Sequence, residues 1–284
     1  MNHIKSYIKS VFFKLISNYK IPDSVFIGVI NLFFLFLKKN HRFKLSKLGA
    51  YMPKYKVISL DNSKEKFFGF RKQGLMAFSN GIKQRGNDIG EAYLLNKIKF
   101  NEGDIIFDVG ANTGDLRIYF NNKKIKIKYF GFEPGKIEFE SLKRNNLNDN
   151  IFNSALGKAN DVLPFYYYPE YGDSSLIEMK GYSEKYNVSV QTLSDFIKKN
   201  KLTETKIKLI KLEAEGYEPE ILEGLDIFSK NVEYISADLG FERGINQEST
   251  FPESKDFLIK RNFKIICINE RRKVVLFKNK NFEN

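Results

Sequence analysis

One stretch of sequence, DIIFDVGANTG (residues 104–114), decides the fold. Its first half is a short apolar run of β-forming residues, which predicts a buried strand. Gly110 and Gly114 then permit a tight turn, and Asn112 tolerates a left-handed backbone. A helical segment, GDLRIYFNN, follows at once. The stretch therefore predicts a strand–turn–helix unit whose backbone can approach a ligand closely beside a helix N-terminus.

Strand-like and helix-like segments alternate from this unit to the end of the chain. The predicted strands cover residues 104–110, 127–134, 151–156, 206–214 and 232–240. This alternation is typical of an α/β fold, a doubly wound and mostly parallel sheet with helices on both faces. Residues 263–279, FKIICIN-ERRK-VVLFKN, predict a hairpin that reverses the last strand. Ligands of such sheets bind beyond the carboxyl ends of the strands.

Acidic residues stand at three of these strand ends. Glu133 ends the second strand, about 20 residues beyond the glycine turn, where an acid can hydrogen-bond a ribose diol. Glu213 and Glu215 are two residues apart, so they share one face if the strand persists, and Asp238 ends the neighbouring strand. We expect these last three carboxylates to converge on a reacting group.

The chemistry of the three converging acids has two readings. The only histidines are His3 and His41, so no imidazole is available in the alternating region and a carboxylate is the leading candidate for a general base. Alternatively, Glu213, Glu215 and Asp238 bind a divalent cation that lowers the pKa of an acceptor, because hard cations prefer oxygen ligands. The sequence leaves both readings open.

Several motifs occur in a recognisable order over residues 87–280. They are IIFDVGANTGD, FGFEP…LKRN, NSALG, VQTLSDFI, IKLEAEGYEPEILEG and ADLGFERG. Together they resemble the FkbM family of S-adenosylmethionine-dependent methyltransferases, notably members associated with glycan and surface-polysaccharide assembly. The resemblance implies a seven-stranded class I methyltransferase sheet and O-methylation of a hydroxyl, often on a sugar. One departure is Glu213, which stands where the family usually has Asp in a KIDVEG segment.

The resemblance also implies roles for individual residues. The cofactor's amino-acid portion is expected near the glycine turn, at Asp108, Gly110, Ala111, Asn112 and Gly114. Glu133 is expected to hold its ribose, and Asn153 or Ser154 to lie near its adenine. Glu242 and Arg243 follow the strand that ends at Asp238, and we expect them to contact the acceptor, with Arg243 able to bind a phosphate or carboxylate.

The positive charge of the chain, +13 in all, is concentrated in its first 56 residues. They contain eleven Lys or Arg and one acid, Asp23, a net of +10, and the remainder has 36 basic and 33 acidic residues, a net of +3. The high isoelectric point thus describes an arm and not the main domain, so no nucleic-acid partner is expected. The single cysteine, Cys267, allows no disulfide and weakly favours a reducing compartment.

The first 56 residues are predicted to be a basic, apolar helical extension. Residues 4–19 have apolar side chains at helical spacing with lysines off that stripe, and residues 25–37 are almost wholly apolar. Thirteen helical residues reach only about 20 Å, too short for a bilayer core of roughly 30 Å. Two interpretations follow: the helices lie on an anionic inner-membrane surface, or they cover an apolar face of the domain or of a partner, including a second copy of the chain.

The predicted organisation has three parts. Residues 57–86 are predicted to be short strands that cap the main domain, including LMAFS, and residues 87–284 are the methyltransferase domain. We expect a cytoplasmic protein, peripheral on the inner membrane face, with a carbohydrate acceptor. The alternatives are an NAD-type oxidoreductase, which the absence of G-x-G-x-x-G disfavours, and a non-catalytic membrane-associated module of a glycan assembly complex.

Overall fold

The strand–turn–helix unit lies at the centre of the sheet, as the sequence predicts. A computed structural model describes residues 21–46, 54–60, 65–168 and 173–283 of the chain. The predicted basic helix over residues 4–19 lies outside these ranges. Strand β4 (Ile105–Val109) is buried along its whole length and leads through the glycine turn into helix α4 (Leu116–Lys123).

Seven strands form the main sheet. They are β4, β5 (Lys128–Phe132), β6 (Asn150–Phe152), β10 (Ile207–Leu212), β11 (Val232–Asp238), β14 (Phe263–Asn269) and β15 (Val274–Asn279). Their spatial order is β6-β5-β4-β10-β11-β15-β14. The first five strands in this order pair in parallel, whereas β15 is antiparallel to both β11 and β14. The predicted seven-stranded sheet with a reversed last strand is confirmed.

Helices cover both faces of this sheet. The helices flanking it are α3 (Ile82–Ala92), α4, α5 (Lys136–Asn145), α6 (Leu193–Lys199), α7 (Glu218–Leu225) and α8 (Phe251–Lys260). Side chains of α6, α7 and α8 pack with one face of the strands, and side chains of α3 and α4 pack with the other. The two apolar layers follow from strands that are buried on both sides.

Smaller sheets surround the edge where the site lies. Strands β7 (Ala155–Leu156), β8 (Asp161–Tyr167) and β9 (Glu184–Gln191) form one sheet, and β12 (Phe241–Arg243) pairs with β13 (Glu248–Ser249). The single strand predicted over residues 151–156 is therefore two strands in different sheets. Short 3₁₀ helices at Leu95–Lys97, Asp226–Asn231 and Lys280–Phe282 complete the elements.

The N-terminal region differs from its prediction. Helix α1 (Asp23–Phe36) is present, but β1 (His41–Leu45) belongs to an antiparallel sheet with β2 (Tyr55–Ser59) and β3 (Lys66–Gly69). The extension predicted as helical up to residue 56 is thus wrong from residue 41 onward. Buried and less buried residues alternate at the start of β1, as the period of two in a strand requires. This alternation was missed because the segment is short and rich in charged residues.

The segment LMAFS is helical and not a strand. It overlaps helix α2 (Lys72–Met76) and the turn that follows it. Leu75 and Phe78 are both buried in the N-terminal core, three residues apart, so a helical period decides the structure of this short apolar run. The same core includes Ile118 of α4, which joins the N-terminal region to the main sheet. Within the described ranges, no helix has the length and apolarity needed to cross a membrane.

Candidate active site

The glycine turn after β4 is shaped by its neighbours. Gly110 has φ +68°, and a Cβ there would lie 1.8 Å from the carbonyl oxygen of Glu213, so only glycine fits beside the end of β10. Asn112 has φ +49°, the left-handed conformation that the sequence predicts. Its backbone N–H donates to Glu133 Oε2 at 2.7 Å. Gly114 packs on α5, where a Cβ would meet Leu142, and it does not face the turn's open side.

A buried lysine beneath this turn was not predicted. Lys211 Nζ lies 3.2 Å from Asp108 Oδ1 and 3.1 Å from Glu213 Oε2, and it donates to the carbonyl oxygen of Gly110 at 2.8 Å. Tyr129 donates its hydroxyl to Asp108 Oδ2 at 2.5 Å. Burial alone would lower the pKa of Lys211, but the two carboxylates outweigh it and raise that pKa. Asp108 therefore holds the turn through Lys211, with both oxygens engaged by protein groups.

Glu133 lies at the predicted end of β5, where it is buried and lines a cavity. Its carboxylate accepts from the backbone N–H groups of Asn112 and Gly135, each at 2.7 Å. Burial, followed by the nearby charge of Glu138, raises the pKa of Glu133 to about 8. Glu138, which the sequence did not single out, lines the same cavity and accepts from the hydroxyl of Tyr167 at 3.2 Å.

The two residues predicted near the adenine differ in position. Ser154 is buried, lines the cavity beside Glu133 and accepts from Gln191 Nε2 at 2.8 Å. Asn153 is exposed and donates to the carbonyl oxygens of Glu133 and Pro134, at 2.9 Å and 3.2 Å. Asn153 thus braces the end of the strand, whereas Ser154 forms part of the cavity wall.

The acidic turn after β10 does not continue the strand. The strand ends at Leu212, and Glu215 has φ +50°, so the alternation that would put Glu213 and Glu215 on one face is absent. Glu218, in the first turn of α7, is buried and organises the acidic turn. Its Oε1 accepts from the backbone N–H groups of Ala214 and Gly216, at 2.7 Å and 3.2 Å, while Oε2 accepts from the Thr250 hydroxyl.

The guanidinium of an arginine lies between two of the three acids, where a bound metal ion would also have to lie. Arg272 Nη2 lies 3.1 Å from Glu213 Oε1 and 3.3 Å from Asp238 Oδ2. Across the described ranges, no three His, Cys, Asp or Glu side chains come together to hold a metal ion. This arrangement does not support the reading in which Glu213, Glu215 and Asp238 ligate a cation, because a guanidinium already compensates two of them.

The four acids at this edge differ in their electrostatics. Burial raises the pKa of Glu213, but Lys211 and Arg272 outweigh it and lower that pKa to about 2. Burial and then the charge of Glu213 raise the pKa of Asp238 to about 6. The pKa of Glu242 is raised to about 8, first by burial and then by the charge of Asp238. The pKa of Glu215 is also raised, first by burial and then by the charge of Glu242.

Arg243 was expected to contact the acceptor, but its guanidinium is bound to other groups of the protein. Its guanidinium forms a two-pronged ion pair with Glu220, at 2.6 Å and 3.0 Å, and donates to the carbonyl oxygen of Gly216 at 2.6 Å. The expected contact of Arg243 with a substrate is therefore not supported, because this fork is already occupied. Glu242, its neighbour, lines an open cavity.

Three adjoining cavities meet at this edge of the sheet. The inner cavity, about 110 Å³, contains Glu133 and Ser154, and the connecting cavity, about 170 Å³, extends under Arg71 and Tyr93. The acidic cavity, about 450 Å³, is lined by the carboxylates Asp173, Glu213, Glu215 and Glu242 and the cations Arg71, Lys180 and Arg272. Asn112 and Glu213 line all three cavities, so a molecule in the inner cavity can reach the acidic one past these two residues.

Comparison with known families identifies the domain around these cavities. Residues 108–265, more than half of the chain, match the model of the methyltransferase FkbM domain. The chain belongs to the FkbM methyltransferase family. The match begins at Asp108, and it spans the glycine turn, Glu133 and the acidic turn, so the FkbM domain contains most of the walls described above.

Two curated relatives each match less than half of this chain. Methyltransferase 1 of Beauveria bassiana (strain ARSEF 2860) is 26% identical over 45% of this chain, and methyltransferase sdnD of Sordaria araneosa is 28% identical over 43%. Each match spans 60% of the relative's own length.

Solved structures of similar topology are distant in sequence. Magnesium protoporphyrin IX methyltransferase from Synechocystis PCC 6803, with bound S-adenosylmethionine, is 7% identical with a TM-score of 0.40, covering 73% of this chain and 83% of that one. TrmK of M. capricolum, in complex with S-adenosylhomocysteine, is 12% identical with a TM-score of 0.37, covering 69% and 70%. The strand order of this FkbM chain is itself that of a class I methyltransferase sheet.

Proposed function

We propose that this FkbM chain transfers a methyl group from S-adenosylmethionine to a hydroxyl group of a carbohydrate acceptor. One observation carries the proposal: Asn112 and Glu213 form part of both the inner cavity and the acidic cavity, so a cofactor site adjoins a site rich in carboxylates. The acceptor is a sugar of a glycan or surface polysaccharide, or of its lipid-linked or nucleotide-linked precursor.

The residues of the inner cavity fit S-adenosylmethionine. A carboxylate has about four lone-pair positions, and two backbone N–H groups use only part of this capacity at Glu133, which leaves acceptors for a ribose diol. Ser154 and Pro134 line the same cavity and provide a wall for the adenine. When bound, S-adenosylmethionine supplies an activated methyl group on a positively charged sulfonium.

The acidic cavity suits an acceptor with several hydroxyl groups. Carboxylates accept hydrogen bonds from hydroxyls, and Glu215 and Glu242 line the cavity without the cationic contacts that Glu213 makes. In methyl transfer to this acceptor, a carboxylate of the cavity would take the proton of the hydroxyl, while the methyl group would exchange its bond to sulfur for a bond to the hydroxyl oxygen and leave S-adenosylhomocysteine. The raised pKa values of Glu215 and Glu242 favour this pair as the proton acceptor, and alignment of the hydroxyl supplies much of the remaining rate.

Glu213 and Asp238 have a different part in this proposal. Both contact Arg272, and Glu213 is also paired with Lys211, so its low pKa makes it a poor proton acceptor near neutral pH. We assign Glu213 and Asp238 to positioning, in which they fix Arg272 at the rim of the acidic cavity. Of the three acids expected to converge on the reacting group, only Glu215 keeps a catalytic role in this proposal. Glu242 is added as a second candidate base.

Calorimetric titration of the full chain with S-adenosylmethionine, S-adenosylhomocysteine and NAD tests the cofactor. We expect the two adenosyl compounds to bind and NAD not to bind. Glu133→Ala should weaken binding of S-adenosylhomocysteine about tenfold, since it removes the acceptor for the ribose diol, and each of the two hydrogen bonds lost is worth roughly 0.5–1.5 kcal/mol. The matched control is Glu223→Ala, an exposed glutamate on α7. Binding of NAD alone, or equal affinity in both variants, would refute the cofactor assignment.

Transfer of a labelled methyl group tests the acceptor. The full chain is incubated with labelled S-adenosylmethionine and a panel of nucleotide sugars, isoprenyl-linked oligosaccharides, peptides and catechols. Label on a sugar oxygen supports the proposal, and label confined to a peptide nitrogen or a catechol contradicts it. Binding of the cofactor with no transfer to any member of the panel would favour the non-catalytic module.

A further inference from the structure

Helix α1 is apolar on two opposite sides, and the described residues of the domain cover only one of these sides. Its inward side chains, Phe26, Ile27, Ile30 and Phe34, are buried in the N-terminal core with residues of β1, β2 and α3. Asn31 fixes the helix on the sheet, because its side chain both donates to and accepts from the backbone of Phe43, at 2.7 Å and 2.9 Å. The helix is therefore held with a fixed side outward.

The outward side of α1 carries no charge. Its large apolar residues are Val25, Val29, Leu32, Leu35 and Phe36, and all five are exposed, Leu32 by 68% and Phe36 by 83%. Asp23 is the only charged residue of the helix. Single exposed apolar residues are ordinary on a soluble protein, but a stripe of five with no charge among them marks an interaction surface.

The charge beside this stripe is positive. Asp23 is compensated by Lys72 at 3.0 Å and accepts from the Tyr55 hydroxyl at 2.7 Å. Lys38 and Lys39 follow the helix directly, and the first 56 residues carry a net charge of +10 although Asp23 is included. Neither lysine forms an ion pair with the described residues, and the ammonium group of Lys39 donates only to the neutral side chain of Asn80 among them, at 3.1 Å. An apolar stripe next to such lysines complements a surface that is apolar inside and anionic at its rim, as a bilayer with acidic lipids is.

We propose that the outward side of α1 binds the surface of an anionic lipid bilayer, with the helix lying in the plane of the membrane. Fourteen helical residues extend about 21 Å, which allows the five apolar side chains to enter the headgroup boundary together while the lysines contact acidic headgroups. This surface is separate from the three cavities and does not depend on the proposed methyl transfer.

The arrangement connects the membrane surface to the active site through one small sheet. Helix α1 packs on β1 and β2, and the segment that follows β3 supplies Arg71 to the acidic cavity. Docking through α1 would therefore hold the acidic cavity at a fixed distance from the lipid surface, where a lipid-linked acceptor is concentrated.

Flotation of the full chain with vesicles tests the proposal. The vesicles are pure phosphatidylcholine or phosphatidylcholine mixed with phosphatidylglycerol, and binding is expected to the mixed vesicles. Leu32→Glu with Phe36→Glu should lower the partition coefficient at least about tenfold, because partitioning follows buried apolar area. Lys38→Glu with Lys39→Glu should lower it by about fivefold for each lysine removed.

Matched variants keep the test decisive. Leu147→Glu removes an equally exposed leucine, 79% exposed, from the main domain, and Lys158→Glu removes an exposed lysine there; both should leave flotation unchanged. Unchanged binding of S-adenosylhomocysteine shows that each variant is folded. Equal flotation of the wild type and the Leu32/Phe36 variant, or equal binding to neutral and anionic vesicles, overturns the proposal. A dimer that the same variant dissociates would also overturn it and assign the stripe to a second copy.

Discussion

At the scale of single residues, Lys211 links the two halves of the site. It is buried in the middle of the sheet, contacts Asp108 and Glu213, and donates to a carbonyl of the glycine turn. Removing the lysine would leave the buried carboxylate of Asp108 without its ion-pair partner, a change that typically destabilises a protein by about 3–5 kcal/mol. The glycine turn and the acidic turn are therefore fixed by the same ammonium group.

The roles proposed for the acids at this edge of the sheet can be distinguished by the pH dependence of the reaction rate. Glu242→Gln should lower kcat by about 10²–10⁴ with unchanged affinity for S-adenosylhomocysteine, because it removes a proton acceptor that does not contact the cofactor. In the wild type, activity should rise as the pH rises through about 8, the pKa of Glu242, since the base works only when deprotonated. Asp238→Asn removes the charge that most raises this pKa, so the rising limb should move to lower pH.

Rate profiles of the two variants over pH check this assignment. Glu223→Gln on the exposed side of α7 serves as the control and should reproduce the wild-type profile. If Glu242→Gln retains full turnover, or if Asp238→Asn leaves the limb where it is, Glu242 is not the base. Glu213→Gln should instead lower stability, because Lys211 and Arg272 lose a shared partner.

At the scale of elements, the sequence predicted what local patterns determine. The turn after β4 carries its own signals, two glycines and a left-handed Asn112, and it folds as expected. The turn after β10 could not be predicted, since Glu218 draws the backbone N–H groups of Ala214 and Gly216 to its carboxylate and so ends the strand early. A lysine inside an apolar strand was the available sign that Lys211 has a buried partner.

Two arginines reach the site only through tertiary packing, which no local sequence pattern predicts. Arg272 lies in the polar turn of the terminal hairpin, beside the similar Arg271, and only the antiparallel position of β15 next to β11 brings it to Asp238. Arg71 reaches the acidic cavity because the N-terminal sheet packs on the main domain. Both arginines were therefore missed.

Helix α1 offers a matched pair of phenylalanines two residues apart. Phe34 is fully buried in the N-terminal core, and Phe36 is 83% exposed. Phe34→Ala should lower the free energy of unfolding by about 3–5 kcal/mol through the cavity it leaves, whereas Phe36→Ala should change it by less than about 0.5 kcal/mol. Urea unfolding without vesicles measures both. Similar losses for the two variants would show that Phe36 is covered in solution, against the exposed face described above.

At the scale of the whole molecule, the candidate active site combines three regions of the chain. The segment between β3 and α2 provides Arg71, the turns after the central strands provide the glycine and acidic residues, and the terminal hairpin provides Arg272. Deleting the first 56 residues would therefore remove much of the N-terminal core as well as any membrane-binding surface. Point substitutions on the outward side of α1 separate these two roles, which a truncation cannot do.

The buried carboxyls of the site predict how global stability depends on pH. The pKa values of Glu133, Glu218, Asp238 and Glu242 are raised to about 8, 7, 6 and 8, chiefly by burial. Between about pH 5 and 8 the folded chain then binds more protons than the unfolded chain, so the free energy of unfolding falls as pH rises, by about 1.4 kcal/mol per pH unit for each full proton. Glu213, with a pKa of about 2, acts oppositely: its stabilisation is present above its unfolded pKa near 4.5 and is lost as pH falls toward 2. Urea unfolding of the cofactor-free chain should therefore show a maximal free energy of unfolding near pH 5. Glu218→Gln should make the fall in this free energy between pH 5 and 8 less steep. A free energy of unfolding that rises from pH 5 to 8 would contradict these pKa directions.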